Sequence, residues 1–170
     1  MAIESAKYRS IKKEKDFEVR VYDEISLAVS KDDDYRGYRG FNVAFDYISG
    51  YNDQNRKISM TTPVINEMGE NSMTMAFVMP SEIPFEELPK PQSDRLTMIK
   101  KEGMTFASIR FSGTVCPTSF ENKKQELLSW MKKYGLKPGS LVWLARYNPP
   151  FIPGFLKRNE ILISIENSTT

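Results

Sequence analysis

The sequence contains no histidine and a single cysteine, Cys116. The first absence excludes Ser-His and Cys-His catalysis, histidine-ligated zinc and histidine ligation of a haem iron. The second excludes an internal disulfide and the cysteine-rich spacings of metal sites. A general base would have to be a carboxylate, a tyrosine, a lysine or the one thiol, and no spacing in the chain marks such a pair. We therefore predict no enzymatic activity and no metal site.

The chain also lacks a strong charge of one sign, with 24 Lys and Arg against 22 Asp and Glu and a net charge of +2. Because the basic residues are scattered among acidic ones, nucleic-acid binding is not expected. No apolar run approaches the length of a membrane span, and the N-terminus has no apolar core of the signal-peptide type. We expect a cytoplasmic protein, although a chain that had lost a targeting segment would show the same pattern.

What is present is an ordinary globular composition, with 170 residues of which 40% are hydrophobic. This length fits a single domain, residues 1–170, or two fused halves that share a core. In the first half, alternating apolar residues predict strands at 8–13 and 17–29. A short helix is predicted at 40–50 and two further strands at 57–66, with a bend at Pro63, and at 72–79.

The second half repeats this order. Strands at 96–101 and 104–112 are predicted to turn around Glu102-Gly103, and a helix at 119–134 is predicted to begin at Thr118 as its N-cap. Strands at 141–147 and 160–165 follow. We therefore expect an α+β fold with pseudo-repeats over about residues 8–80 and 96–166, whose strands pair into a twisted or barrel-like antiparallel sheet with both helices against it.

The connection between the last two strands is unusual for a loop. It carries Pro149, Pro150 and Pro153 but also large apolar side chains, and Arg146, Lys157 and Arg158 flank it. Such a stiff aromatic loop is compatible with the lip of a pocket for a flat, apolar, anionic ligand. A loop that seals one end of the core is the favoured interpretation, because apolar clusters usually pack.

Several stretches together are similar to a known family. They are FEVRVY, YISGYNDQNRKISMTTPV, SMTMAFVMP, ASIRFSG and LARYNPPFIPGFLKRNEI. In this order, and over nearly the whole chain, they resemble the SOUL/haem-binding protein family. The resemblance implies duplicated βαββ halves that form a distorted antiparallel β-barrel flanked by two helices, in agreement with the element order. That family in turn is similar to the GyrI-like effector-binding domains, which bind varied small ligands.

The resemblance implies binding of haem or a related tetrapyrrole in a shallow apolar groove that involves the first helix, with basic side chains near the propionates. Transferred to this chain, the groove is expected to use Tyr38, Phe41, Phe45, Ile48, Met60, Phe151, Phe155 and Arg158. Two departures stand out: the chain has no histidine, and Asp46 replaces a lysine of one branch. Haem would thus bind without a histidine ligand. Replacing Phe45 by Asp is expected to abolish binding.

The iron ligand and the cationic partner stay open. Iron without a protein ligand is one alternative, and ligation by Tyr35, Tyr38, Met60 or Cys116 is another, although packing is the favoured role of each. Cations that would replace the missing lysine are Arg36, Arg39, Lys157 and Arg158.

A second function is a GyrI-like effector-binding or protein-interaction module with no haem role. Aromatic faces would hold a small apolar ligand, and Glu18 or Glu160 would counter its charge. An ion pair with Arg20 or Arg146 is the favoured role of these two carboxylates. Hydrolysis by a glutamate with tyrosine neighbours, as in related effector-type domains, is not expected.

Overall fold

The computed structural model of the protein describes residues 3–31, 39–149 and 152–166. The helices are α1 (Arg39–Ile48) and α2 (Pro117–Lys133). The strands are β1 (Glu4–Ser5), β2 (Arg9–Glu14), β3 (Phe17–Ser30), β4 (Thr61–Thr62), β5 (Val64–Met68), β6 (Met73–Val78), β7 (Leu96–Phe111), β8 (Pro138–Arg146) and β9 (Asn159–Ile165). Short 3₁₀ turns lie at Phe85–Glu87 and Gly154–Leu156.

Six strands in the described ranges close into an antiparallel barrel in the order β3-β6-β5-β8-β9-β7, and β7 pairs with β3 to complete the ring. Strand β2 extends the sheet beside β3, and β1 pairs with β4 in parallel. Each half of the chain contributes a strand, a helix and two further barrel strands: β3, α1, β5 and β6, then β7, α2, β8 and β9. The predicted α+β barrel flanked by two helices is confirmed.

Strand β7 differs most from its prediction. The hairpin expected around Glu102-Gly103 is wrong, because β7 pairs with β3 in one register from Phe17 opposite Ile109 to Ser30 opposite Leu96. Gly103 has a φ of +62° inside this strand, a conformation that glycine adopts at little cost. The long β3 supplies an uninterrupted partner, and this pairing outweighs the local turn signal.

The start of α2 also differs from the sequence pattern. Cys116, not Thr118, is the N-cap: its Sγ accepts a hydrogen bond from the Ser119 backbone N–H at 3.5 Å, and the Ser119 hydroxyl accepts one from the Cys116 N–H at 2.9 Å. Pro117 then occupies the first helical turn, where its missing N–H costs nothing. Cysteine is outside the usual N-cap residues, which is why the pattern pointed to the threonine instead.

The two faces of the barrel wall carry different cores. Side chains alternate between the faces along each strand. The inner face holds an aromatic stack in which Phe106 lies 4.6 Å from Trp143 and 5.8 Å from Tyr22, centroid to centroid. The outer face is apolar in two places, one beneath α2 and one beneath α1. Within the described ranges, neither helix is long and apolar enough to cross a membrane.

Candidate functional site

Helix α1 presents two apolar faces, one packed against the barrel and one at its edge. Ala44, Tyr47 and Ile48 are buried against the barrel, and the Tyr47 hydroxyl donates to the carbonyl of Pro89 at 2.6 Å. Phe41 is only partly buried and Phe45 is 47% exposed. The helix therefore packs through one face and leaves two phenylalanines at its edge for another purpose.

Gly40 sets how closely α1 approaches the sheet. A Cβ at this position would lie 3.0 Å from Cβ of Met75 and 3.3 Å from Oγ of Ser30. A larger side chain would push the first turn of the helix away from β3 and β6. Glycine thus positions Phe41, the next residue, directly above the outer face of β6.

An open groove of about 280 Å³ runs along this edge of α1. Its apolar wall is formed by Phe41 and Phe45 from α1, Met60 and Val64 around the Pro63 bend, Met75 from β6 and Ile3 from the N-terminal segment. The other end is lined by the polar or charged residues Thr62, Asn66, Arg146, Tyr147 and Asn148, together with Pro149. The volume is near the lower end of the range for small-molecule pockets, and the apolar side dominates.

The aromatic wall of the groove is held in place by ring contacts. The rings of Phe41 and Phe45 stack with centroids 5.7 Å apart and an interplanar angle of 13°. Phe41 also meets Phe77 of the buried core edge-on, at 5.2 Å and 69°. The exposed Phe45 ring therefore lies nearly parallel to a ring that is itself fixed by the core, which gives a flat apolar surface beside the groove.

The polar end of the groove is backed by a charged cluster on the inner face of the barrel. The ring of Tyr147 lies 4.0 Å below the guanidinium of Arg158, and its hydroxyl hydrogen-bonds to Glu160. Burial and the negative charge of Glu160 raise the pKa of Tyr147 well above its ordinary value. Tyr147 therefore keeps its proton and is a neutral, fixed wall of the groove.

The centre of that cluster is Arg20, which is 1% exposed. Its Nη2 contacts Glu18 Oε1 at 2.6 Å and Glu160 Oε2 at 2.7 Å, and its Nη1 contacts Glu160 Oε1 at 3.0 Å. Burial alone would raise the pKa of Glu160, but the hydrogen bonds and positive charge of Arg20 hold it below its usual value. Both carboxylates pair with Arg20, whereas the alternative partner, Arg146, lies on the outer face and lines the groove.

The structure brings some of the predicted site residues together and separates others. Phe41, Phe45 and Met60 line one groove. Ile48 is 5% exposed and belongs to the core beneath α1. Arg158 stacks on Tyr147 and reaches Glu160 at 3.4 Å, behind the groove rather than in it. Tyr38 and Phe151 lie outside the described residues.

Phe155 is placed elsewhere, 77% exposed in the 3₁₀ turn that follows Pro153. This turn packs on the connection after β7, where the Gly113 N–H donates to the carbonyl of Gly154 at 2.8 Å. Phe155 and its neighbour Leu156 therefore neither line the groove nor seal the core. Neither the pocket-lip nor the core-seal interpretation of the proline-rich loop describes these two residues. Among its described residues, only the beginning of the loop, Asn148 and Pro149, reaches the groove.

The structure also places some of the other residues suggested as an iron ligand or as a cation for the ligand. Cys116 caps α2 and is exposed, away from the groove lining. Hydrogen bonds from Ser119 lower the pKa of its thiol, an effect of the cap itself. Tyr35 and Arg36 lie outside the described residues, as does the side chain of Arg39. Lys157 is partly buried but does not line the groove.

Several groove residues were missed from the sequence. Ile3 comes from the N-terminal segment, whose Glu4-Ser5 pairing with Thr61-Thr62 joins positions far apart in the chain. Val64 and Met75 were assigned only to strands, and their exposure to a groove depends on where α1 stops covering them. Arg146 was noted beside the loop, and among the described residues it is the basic side chain that lines the groove.

A larger cavity, of about 340 Å³, lies between the N-terminal segment and the middle of β3. Three of its charged side chains already have partners: Arg9 binds Asp23 through two 2.8 Å hydrogen bonds, and Glu4 accepts from the Ser81 N–H and hydroxyl. These contacts make it a poorer candidate for an apolar ligand than the groove.

Comparison with known families decides the identity of the fold. A family model described as SOUL heme-binding protein matches residues 3–164. The chain belongs to the SOUL heme-binding protein family. Family membership supports small-molecule binding as the general activity. A comparison with curated protein sequences finds no significant match.

Solved structures agree on the architecture. A hydrolase from Listeria innocua is 12% identical, with 92% of this chain and 94% of that chain covered and a TM-score of 0.64. The EcmrR C-terminal domain is 10% identical, with 94% of this chain and 98% of that chain covered and a TM-score of 0.65. At these identities the likeness shows the fold alone.

The residues that line the groove would suit contact with the ring of a porphyrin better than ligation of its iron. A flat macrocycle matches the stacked face of Phe41 and Phe45, and Arg146 supplies a cation for a carboxylate at the polar end. Among the described residues, the thioethers that line the groove belong to Met60, which is partly buried, and to Met75, which is only 1% exposed. No cluster of metal-binding side chains is found in the described ranges.

Proposed function

We propose that this SOUL protein binds haem or a related tetrapyrrole in the groove beside α1, without a histidine ligand and without catalysing a reaction. The observation that carries the proposal is the stacked pair Phe41 and Phe45, of which Phe45 is 47% exposed beside an apolar groove. An exposed aromatic pair held by the core is expected to cover a flat apolar ligand.

The polar end supports an anionic ligand edge. Arg146 lines the groove there, and a guanidinium binds carboxylates through two parallel hydrogen bonds. The propionates of a tetrapyrrole are therefore expected to lie toward Arg146 and Asn148, with the ring over Phe41, Phe45 and Met60. Bound haem would bring a redox-active iron, for which the partly buried Met60 is the thioether nearest to hand in the groove, since Met75 is 1% exposed.

The alternative of a cationic effector is less well supported. Glu18 and Glu160, which would counter a positive ligand, both bind Arg20 on the inner face of the barrel. Arg158 also reaches Glu160 at 3.4 Å, so both carboxylates already have cationic partners, and neither lines the groove. A different small apolar ligand with an acidic edge remains the competing occupant of the same groove.

Titration with hemin and with iron-free protoporphyrin tests the proposal. We expect saturable one-to-one binding of both, followed by porphyrin absorbance and tryptophan quenching, because apolar contact rather than iron ligation drives it. An open groove suggests a Kd in the micromolar range, about −8 kcal/mol. Failure of both titrations would leave the family assignment as a statement of fold and bring a different small ligand forward.

The variant Phe45→Asp tests whether the ligand binds in the groove. Phe45 is half-exposed, so the substitution should leave the fold intact by circular dichroism while weakening tetrapyrrole binding at least about tenfold, or 1.4 kcal/mol. Ile11→Asp is the matched control, because Ile11 is a 59% exposed apolar side chain on β2, away from the groove. Equal binding by the two folded variants would remove α1 from the site.

A further inference from the structure

A third cavity, of about 150 Å³, opens from the inner face of the barrel, and we call it the barrel mouth. Its floor is the buried cluster of Arg20 with Glu18 and Glu160. Its rim carries four basic side chains, Lys13, Lys15, Arg110 and Arg158. Unlike the groove, this cavity is mainly polar, and neither the proposed tetrapyrrole site nor the family assignment uses it.

The charge of the mouth is strongly unbalanced. Five cationic side chains and three acidic ones, Asp16, Glu18 and Glu160, line it, so its net charge of +2 equals that of the whole chain. Arg20 holds both floor carboxylates by hydrogen bonds of 2.6–3.0 Å. Arg20 therefore engages both floor glutamates, and Arg158 also reaches Glu160 at 3.4 Å, which leaves Asp16 as the further anion beside the other three rim cations.

The rim cations are arranged above this floor by strand pairing. Lys13 lies opposite Glu18 across β2 and β3, and Arg110 lies opposite Glu160 across β7 and β9. Paired residues project to the same side of a sheet, so both cations point to the mouth. Lys13, Lys15 and Arg110 are exposed and make no side-chain ion pair within the described ranges.

Arg158 completes the rim from the other side. Its Nη2 reaches Glu160 at 3.4 Å, and its guanidinium carbon lies over the Tyr147 ring, 4.0 Å from the ring centroid. Its Nε is buried and has no hydrogen-bond partner among the described residues. A buried donor without an acceptor costs free energy, and a bound acceptor would recover it.

We propose that the barrel mouth binds a small phosphate dianion, either inorganic phosphate or the phosphate group of a monoester. A phosphomonoester carries about −1.5 to −2 charges near pH 7, which complements the excess of the mouth. The guanidinium groups of Arg110 and Arg158 offer forked donors, and the two lysines add point charges at the open side.

The test uses the full chain and inorganic phosphate, titrated by isothermal calorimetry at constant ionic strength, because surface electrostatics depend on salt. We expect saturable one-to-one binding. The double variant Lys13→Gln/Arg110→Gln should weaken it at least about tenfold. The control Lys57→Gln/Lys132→Gln removes the same charge from two exposed positions away from the mouth and should bind as the parent does.

Two further arms identify the source of the phosphate. Glycerol 3-phosphate represents a soluble monoester, and phosphatidylcholine vesicles containing phosphatidic acid represent a lipid headgroup. Binding of the soluble phosphates with loss in the rim variant supports the proposal, with or without vesicle binding. Absence of saturable phosphate binding, or an equal loss in the control variant, would overturn it. Phe45→Asp should bind phosphate normally, which separates this site from the groove.

Discussion

The groove beside α1 and the barrel mouth lie on opposite faces of the same barrel wall, and their linings differ in polarity. The groove is an apolar surface with Arg146 at one end, whereas the mouth surrounds a buried guanidinium and two carboxylates. Tyr147 is the point where they meet, since it lines the groove and hydrogen-bonds to Glu160. A single strand wall of this small barrel therefore separates an apolar outer surface from a charged interior.

The energetic consequences differ as much as the chemistry. Groove side chains such as Phe45 are partly exposed already, so changing them removes little packing from the folded protein. Arg20, in contrast, is fully enclosed by partners whose own burial depends on it. We therefore expect substitutions in the groove to change ligand binding and substitutions in the charged cluster to change stability.

The largest expected effect is on stability, in the variant Arg20→Met. Removing the guanidinium leaves Glu18 and Glu160 buried without their cation, which typically costs about 3–5 kcal/mol. Urea unfolding followed by tryptophan fluorescence would measure the loss as a lower midpoint. The comparison variant is Arg9→Met, which breaks the exposed pair with Asp23 and should change the midpoint little.

A multiple substitution sharpens the same point. Glu18→Gln/Arg20→Met/Glu160→Gln removes the unpaired charges along with the cation, and it should recover a large part of the lost stability. A triple variant as unstable as Arg20→Met would show that shape, rather than uncompensated charge, holds this part of the barrel.

Acid pH should reduce the contribution of the Arg20–Glu160 ion pair to the stability of the folded protein. The folded pKa of Glu160 is depressed by Arg20, so its contribution to stability is present above the unfolded value and is lost as pH falls through the folded value. The stability difference between the parent protein and Glu160→Gln should therefore shrink as pH falls from about 6 to about 3. Urea midpoints across this range measure it, and a constant difference would contradict the ion pair. Glu70→Gln, at an exposed position, is the control.

Much of the fold could be predicted because its signals are local. The alternation in β3, the helical spacing in α1 and α2 and the duplicated order of elements gave the barrel and both helices. The hairpin at Gly103 failed because the decisive interaction is the pairing of β7 with β3, some 80 residues apart in the case of Val21 and Thr105. A local turn signal carries no information about the length of a distant partner strand.

The candidate site was harder to predict for a related reason. Phe41 and Phe45, which line the groove, were suggested by transferring the family's groove to the first helix, but the same transfer also suggested Ile48, which is buried in the core beneath α1. Phe155 was suggested by the apolar loop, yet its turn packs on Gly113 and Thr114. Ile3 and Met75 reach the groove only through the β1–β4 pairing and the limited reach of α1. Which apolar residue is left uncovered depends on tertiary packing rather than on spacing.

The smallest expected effect concerns Arg146. It tests whether the groove binds a negatively charged ligand more tightly than an uncharged one. If Arg146 binds a propionate, protoporphyrin should bind more tightly than its uncharged dimethyl ester, by about tenfold or 1.4 kcal/mol, since the groove is open to solvent that weakens the pair. In Arg146→Gln the acid and the ester should bind equally, because the remaining apolar contacts do not distinguish them. Arg158→Gln is the control: Arg158 lies behind Tyr147, so the preference for the acid should persist. A preference that survives in Arg146→Gln and disappears in Arg158→Gln would place the carboxylates at the barrel mouth and join the two sites that the wall is inferred to separate.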